Sequence, residues 1–184
     1  MRNKSILNIQ LTALLLAVLM IPLAGCLHED ETNNTVEDET NNTVECELVP
    51  YGHCSGEDFS GQDLSELNLT GIDLSYANLS GADLTNLNFA DLTGANLDSA
   101  ILDDAELEGA VLTGANLYYA SINNGTNLFI ADLTSADLTG ANLTGAVLHY
   151  ADFTDAIVTD SDFTDTAWYN TIWTDGVSYN ENQA

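Results

Sequence analysis

The sequence predicts a solenoid, a chain wound into stacked square coils of about twenty residues each. Three observations predict it. A large apolar residue recurs at every fifth position, with two interruptions, from Phe59 to Trp173. Alanine stands two positions before most of these residues, as at Ala77, Ala95, Ala115 and Ala136. Asn or Asp fills the place between, and Ser or Thr follows, often with Gly after it, so the unit reads Ala-(Asp/Asn)-Leu-(Ser/Thr)-Gly.

A period of five matches neither the 3.6 of a helix nor the 2 of an ordinary strand. It needs a backbone that turns one corner every five residues. Each side then points the large residue and the preceding alanine inward and leaves three polar positions outside. The first run is Phe59, Leu64, Leu69, Leu74, Leu79, Leu84 and Phe89; the second runs from Leu92 to Ile122 and the third from Leu128 to Trp173. These 24 units make about six coils of four sides. The steps from Phe89 to Leu92 and from Ile122 to Leu128 are 3 and 6 residues, and both are expected at corners. Leu87 is a second candidate for the inward place given to Phe89. A second large residue at an alanine position would crowd so narrow a bore.

On these residues, the stretch 56–175 resembles the pentapeptide repeat family. The resemblance implies an all-β fold, a right-handed quadrilateral β-helix. With coils stacked at strand spacing of about 4.8 Å, the rod would be roughly 25–30 Å long. It also implies a possible role, since some family members resemble duplex DNA in width and charge and block topoisomerases.

The N-terminal residues 1–25 carry an address. Arg2 and Lys4 precede an apolar run from Leu11 to Leu23, the layout of an export signal. Leu23-Ala24-Gly25-Cys26 resembles the lipobox of prokaryotic lipoproteins. That resemblance implies cleavage before Cys26 and a lipid on its sulfur, which would hold the chain outside the cytoplasm on a membrane. Two acyl chains suffice for stable anchoring where one does not. Residues 26–45 contain a tandem acidic octapeptide, from Glu31 and from Glu39, without apolar periodicity. They read as a flexible stalk of roughly 30 Å. Glycosylation acceptor patterns start at Asn33, Asn41, Asn68, Asn78, Asn124 and Asn142.

Residues 46–57 form the expected N-terminal cap. Outside the cytoplasm, Cys46 and Cys54 are expected to form a disulfide across the Pro50-Tyr51-Gly52 turn. Metal binding by Cys46, His53 and Cys54 is the alternative, but adjacent His and Cys fit a tetrahedral site poorly. The repeat itself covers 58–175, and 176–184 reads as a tail. Trp168 and Trp173 sit in the last coil as a lid over the bore, or else as a binding patch.

Charge excludes much. The chain has 29 Asp and Glu against 2 Lys and Arg, both in the first four residues. Phosphate neutralisation needs Lys and Arg, so nucleic acid is not a partner. No Ser, His and Asp set and no phosphate loop is spaced for catalysis, so no enzyme and no cofactor are expected. Asp73, Asp91, Asp132 and Asp152 fall on one side of the square, an acidic ladder read as taking up Ca²⁺ or Mg²⁺ weakly. Asn78, Asn96 and Asn116 fall on another side as a hydrogen-bonding stack. Such acidity is also what a saline habitat favours, because salt screens self-repulsion. The expected task is a non-enzymatic, cell-surface structural or interaction module for an unknown protein partner.

Overall fold

A computed structural model of the chain describes residues 46–179. The signal segment 1–25, the lipid attachment at Cys26, the stalk 26–45 and the last five residues lie outside the described residues. Among the described residues, no helix is long and apolar enough to cross a membrane.

The corner is the unit from which everything else is built. At Leu74–Ala77 the Ala77 N–H donates to the Leu74 carbonyl at 3.0 Å, and Tyr76 between them has φ 58°. A turn with positive φ only at its third residue is of type II, which favours glycine there. Gly81 and Gly94 hold the same place with φ 64° and 63°. Among the described residues, fourteen that are not glycine nonetheless adopt positive φ, so the glycine of the unit is preferred rather than required. Each such corner is held from outside its own coil: the Tyr76 N–H donates to the Thr93 carbonyl at 2.8 Å.

Between corners, each side pairs with the side below through one residue. Asp73 donates its N–H to the Gly52 carbonyl at 2.9 Å and accepts the Cys54 N–H at 2.8 Å, a parallel bridge to His53. One face stacks His53, Asp73, Asp91, Val111, Asp132, Asp152 and Ile172 in this way. Three further columns begin at Asp58, Asp63 and Asn68. Pairing between coils is parallel throughout, but a side of five residues that spends two on its corner has room for only one bridged residue. The expected all-β content is therefore present as single bridges. Among the described residues, the one regular ladder is at the C-terminal end, where β1 (Thr171–Ile172) pairs antiparallel with β2 (Ser178–Tyr179). The chain read as a tail from residue 176 thus begins as half of a hairpin.

The bore is filled by leucine and alanine. From Leu64 to Leu148 the inward large residues are buried, and from Ala77 to Ala156 so are the alanines before them. Three expectations need correction. Phe89 is not inward; it is 54% exposed, and Leu87 is fully buried in its place. The short step therefore lies between Leu84 and Leu87. The bore also starts earlier than Phe59: Cys54 is 1% exposed and holds the first inward position. Finally, Ile72 stands where alanine was expected and is fully buried. It lies near the N-terminal end, where Leu67 beside it is half-buried, so the added volume has somewhere to go.

Both ends are covered. Cys46 is disulfide-bonded to Cys54 with 4.6 Å between their Cα atoms, and Cys46 and Leu48 pack on the first inward residues. At the far end Phe163, Trp168 and Trp173 pack on Phe153, with ring centroids 4.6–6.1 Å apart along the chain of contacts. Here Thr166 and Thr171 replace alanine. Their hydroxyls donate to the Phe163 and Leu148 carbonyls at 2.8 and 2.7 Å, which removes the cost of burying them.

Candidate interaction surface

The outer surface is a lattice of repeated side chains, and most of them also make the corner. In Asp63-Leu-Ser65, Asp63 Oδ1 accepts both the Ser65 N–H at 3.2 Å and the Ser65 hydroxyl at 2.7 Å. The same pair of bonds recurs at Asp73, Asp137, Asn142, Asp152 and Asp162. This is an Asx-type turn, in which a short side chain imitates the backbone. Sequence reasoning read these residues only as outward and polar. The signal was present as Asp or Asn two positions before Ser or Thr.

These bonds favour the charged carboxylate. Asp58, Asp63 and Asp162 are held below the usual aspartate pKa chiefly by their bonds from Ser60, Ser65 and Thr164. For Asp132 the largest single influence is burial, which raises the pKa. Bonds from the Thr134 side chain, its N–H and the Thr113 hydroxyl together outweigh it, and the net direction is down. The surface is therefore fixed as well as acidic, because the groups that carry charge are tied to the scaffold.

The two columns singled out in the sequence occur as expected in position. Asp73, Asp91, Asp132 and Asp152 share a face, with Val111 interrupting them. Among the described residues, no group of three or more His, Cys, Asp or Glu is placed to hold a metal ion. Each of these aspartates spends an oxygen on the Ser or Thr of its own corner. The Asn column is a bonded ladder: Asn116 donates to Asn96 at 2.9 Å, Asn96 to Asn78 at 3.1 Å and Asn78 to Asp58 at 3.0 Å. His53 occupies a bridge position on the acidic face, and His149 lies outward on another. The bridge partner of His53 is Asp73, which accepts the Ser75 hydroxyl at 2.7 Å, so that hydroxyl is spent on the corner.

Aromatic residues make a second surface that the repeat pattern hid. Tyr51, Tyr76, Phe89 and Tyr119 occupy corner positions with positive φ. A Cβ added at Gly71, Gly94, Gly109 or Gly140, one coil further on, would run into the ring of Tyr51, Tyr76, Phe89 or Tyr119 respectively. Each ring covers a bare glycine corner, a cross-strand pairing that restores packing at a residue without a side chain.

A family model described as Pentapeptide repeats, in 8 copies, matches residues 54–89, 90–125 and 126–165. Among solved structures, HetL is similar, a pentapeptide repeat protein involved in heterocyst differentiation regulation from the cyanobacterium Nostoc sp. strain PCC 7120. It is 27% identical, with 70% of this chain and 65% of that chain covered and a TM-score of 0.39. Rfr23 from the cyanobacterium Cyanothece 51142 is 29% identical over 66% of this chain and 90% of its own, with a TM-score of 0.19. QnrB1, a plasmid-mediated fluoroquinolone resistance protein, is 21% identical over 67% of this chain and 77% of its own, with a TM-score of 0.45. No curated protein matches the chain.

Proposed function

Because this chain belongs to the pentapeptide repeat family, whose members form right-handed β-helices and are generally structural or interaction modules, we propose that it is a lipid-anchored rod. In this reading it has about six coils and displays a fixed acidic surface to a protein partner outside the cytoplasm. One observation carries the reading: the bore is closed by Leu and Ala while the aspartates outside are pinned by their own corners. Among the described residues the bore is filled and leaves no room to enclose a substrate, and ligand sites are concave. It presents charge at fixed spacing instead. The motif Leu23-Ala24-Gly25-Cys26 supports the anchor, and the long acidic stretch after it supports a stalk.

The test begins with the anchor. Expression of the full chain in a prokaryotic host fed a labelled fatty acid should label the protein and place it in the membrane fraction. Cys26→Ser should lose both label and membrane residence. A wild-type chain recovered unlabelled from the cytoplasm would overturn the reading. It would favour the second one, a mimic of duplex DNA that occupies a DNA-binding protein, to which the same acidic columns lend support. Cross-linking from intact membranes in high salt would then identify the partner.

A further inference from the structure

Acidic residues are spread over three faces and both termini, yet one patch has none. The sides spanning residues 126–131, 146–151 and 166–171 lie in consecutive coils on one column, joined by the bridges Asn127↔Val147 and Val147↔Ala167. None of the three contains Asp or Glu. Apart from Asn127 and Asn170, their outward residues are apolar or aromatic instead. Ile130, Tyr150 and Tyr169 are exposed at 45%, 44% and 48%. Tyr150 stands between Phe129 and Tyr169, with ring centroids 5.6 and 5.4 Å away and edge-to-face geometry. His149 packs on Tyr169 at 6.4 Å. Earlier in the same column the charge returns with Glu106 and Glu108.

We infer that this neutral patch is a contact between two copies of this chain, packed antiparallel about Val147. Charge selects the occupant. A basic partner would gain most on the acidic faces and nothing here, whereas a second copy meets little repulsion on three consecutive sides without Asp or Glu. Its identical patch is an acid-free, aromatic surface that the protein itself supplies. Isologous contacts place one patch on itself. The antiparallel direction follows from Glu106 and Glu108. Parallel copies would set these glutamates against each other. A two-fold axis across the Val147 side instead puts the Phe129 side against the partner copy's Tyr169 side and carries both glutamates past the contact. On that axis His149 faces His149 of the second copy. The patch spans three coils of about 4.8 Å, short of the roughly 800 Å² per partner of a standard interface. The association is therefore weak and needs salt to screen the rest of the rod. It does not depend on the lipid anchor.

The full chain, purified in detergent, tests it. Sedimentation in molar salt at high protein concentration should show dimer, and Val147→Asp should weaken the dimer at least ten-fold while leaving the unfolding midpoint near wild type. His149→Cys should give a disulfide-linked dimer on mild oxidation, at least ten-fold more than Tyr118→Cys on another side. A wild type that stays monomeric in molar salt would overturn the inference, as would equal cross-linking from both cysteines. A dimer that survives Val147→Asp would place the contact elsewhere and overturn it too.

Discussion

The two breaks in the five-residue period are opposite errors, and the rod absorbs them differently. The first removes two residues between Leu84 and Leu87, so the bridges across it join residues 18 apart, as Asp73 to Asp91. The corner itself is lost: no residue between Gly81 and Phe89 has positive φ. Thr85 then serves two sides at once, and its hydroxyl donates to the Ser65 carbonyl. The second break adds one residue between Ile122 and Leu128, and bridges there join residues 21 apart, as Val111 to Asp132. Here the corner is enlarged. Asn124 and Gly125 both take positive φ, 59° and 95°. Thr126 replaces the inward alanine and donates its hydroxyl to the Leu102 and Asn123 carbonyls, each at 2.7 Å. A shortened side keeps its stacking by giving up a turn, whereas a lengthened one keeps it by adding a buried hydrogen bond. The bore dictates both solutions, since Leu87 and Leu128 return to it fully buried.

The comparison can be broken most sharply at Leu87. Leu87→Ala opens a cavity in a filled bore and should cost about 2–5 kcal/mol, read by denaturant unfolding. Phe89→Ala should cost far less, because it strips only a ring resting on Gly109. Equal losses would return Phe89 to the bore. At the longer side, Thr126→Val keeps the shape but leaves two carbonyls without their donor. A loss of about 1–3 kcal/mol is expected, against a smaller one for Thr164→Val, whose hydroxyl bonds Asp162 on an exposed corner. Gly125→Ala places a side chain on a backbone that glycine alone adopts freely and should cost about 1–2 kcal/mol. No corresponding glycine exists at the shorter side, so that cost belongs to the inserted residue.

The smallest effect is electrostatic. Asp132 lies on the side after the insertion, and its folded pKa is below the ordinary aspartate value. The group therefore contributes stability that is full above the unfolded pKa and is lost as pH falls through the folded one. Unfolding of the wild type and Asp132→Asn, compared at pH 7 and pH 3 in molar salt, should show a shallower acid loss in the variant. The same slope in both would remove Asp132 from the account.

The repeat was legible because each unit carries its own instructions. Leucine and alanine name the inward positions, and Asp or Asn followed two places later by Ser or Thr writes the corner. The choice between Leu87 and Phe89 was not legible. Both are large and apolar, and either restores the phase after a short step. Coil-to-coil bonding decided it: the Leu87 N–H reaches the Glu106 carbonyl at 2.8 Å as bore residues do, while the Phe89 N–H reaches Glu108 as corner residues do. Cys54 was hidden in the same way, since a cysteine in a disulfide reads as a clasp rather than as the first plug of the bore. The acid-free patch was hidden for another reason. Its three sides are 20 residues apart in sequence, and each is unremarkable alone.

By itself, then, the sequence determined the period, the inward residues of the regular sides and the sign of the surface, because these depend on contacts within one side or between identical neighbours. Tertiary structure alone decided how the irregular sides rejoin the stack, where the bore begins and which distant sides form one face. Those depend on register between coils, and register is settled by the backbone bonds of the coil above and the coil below.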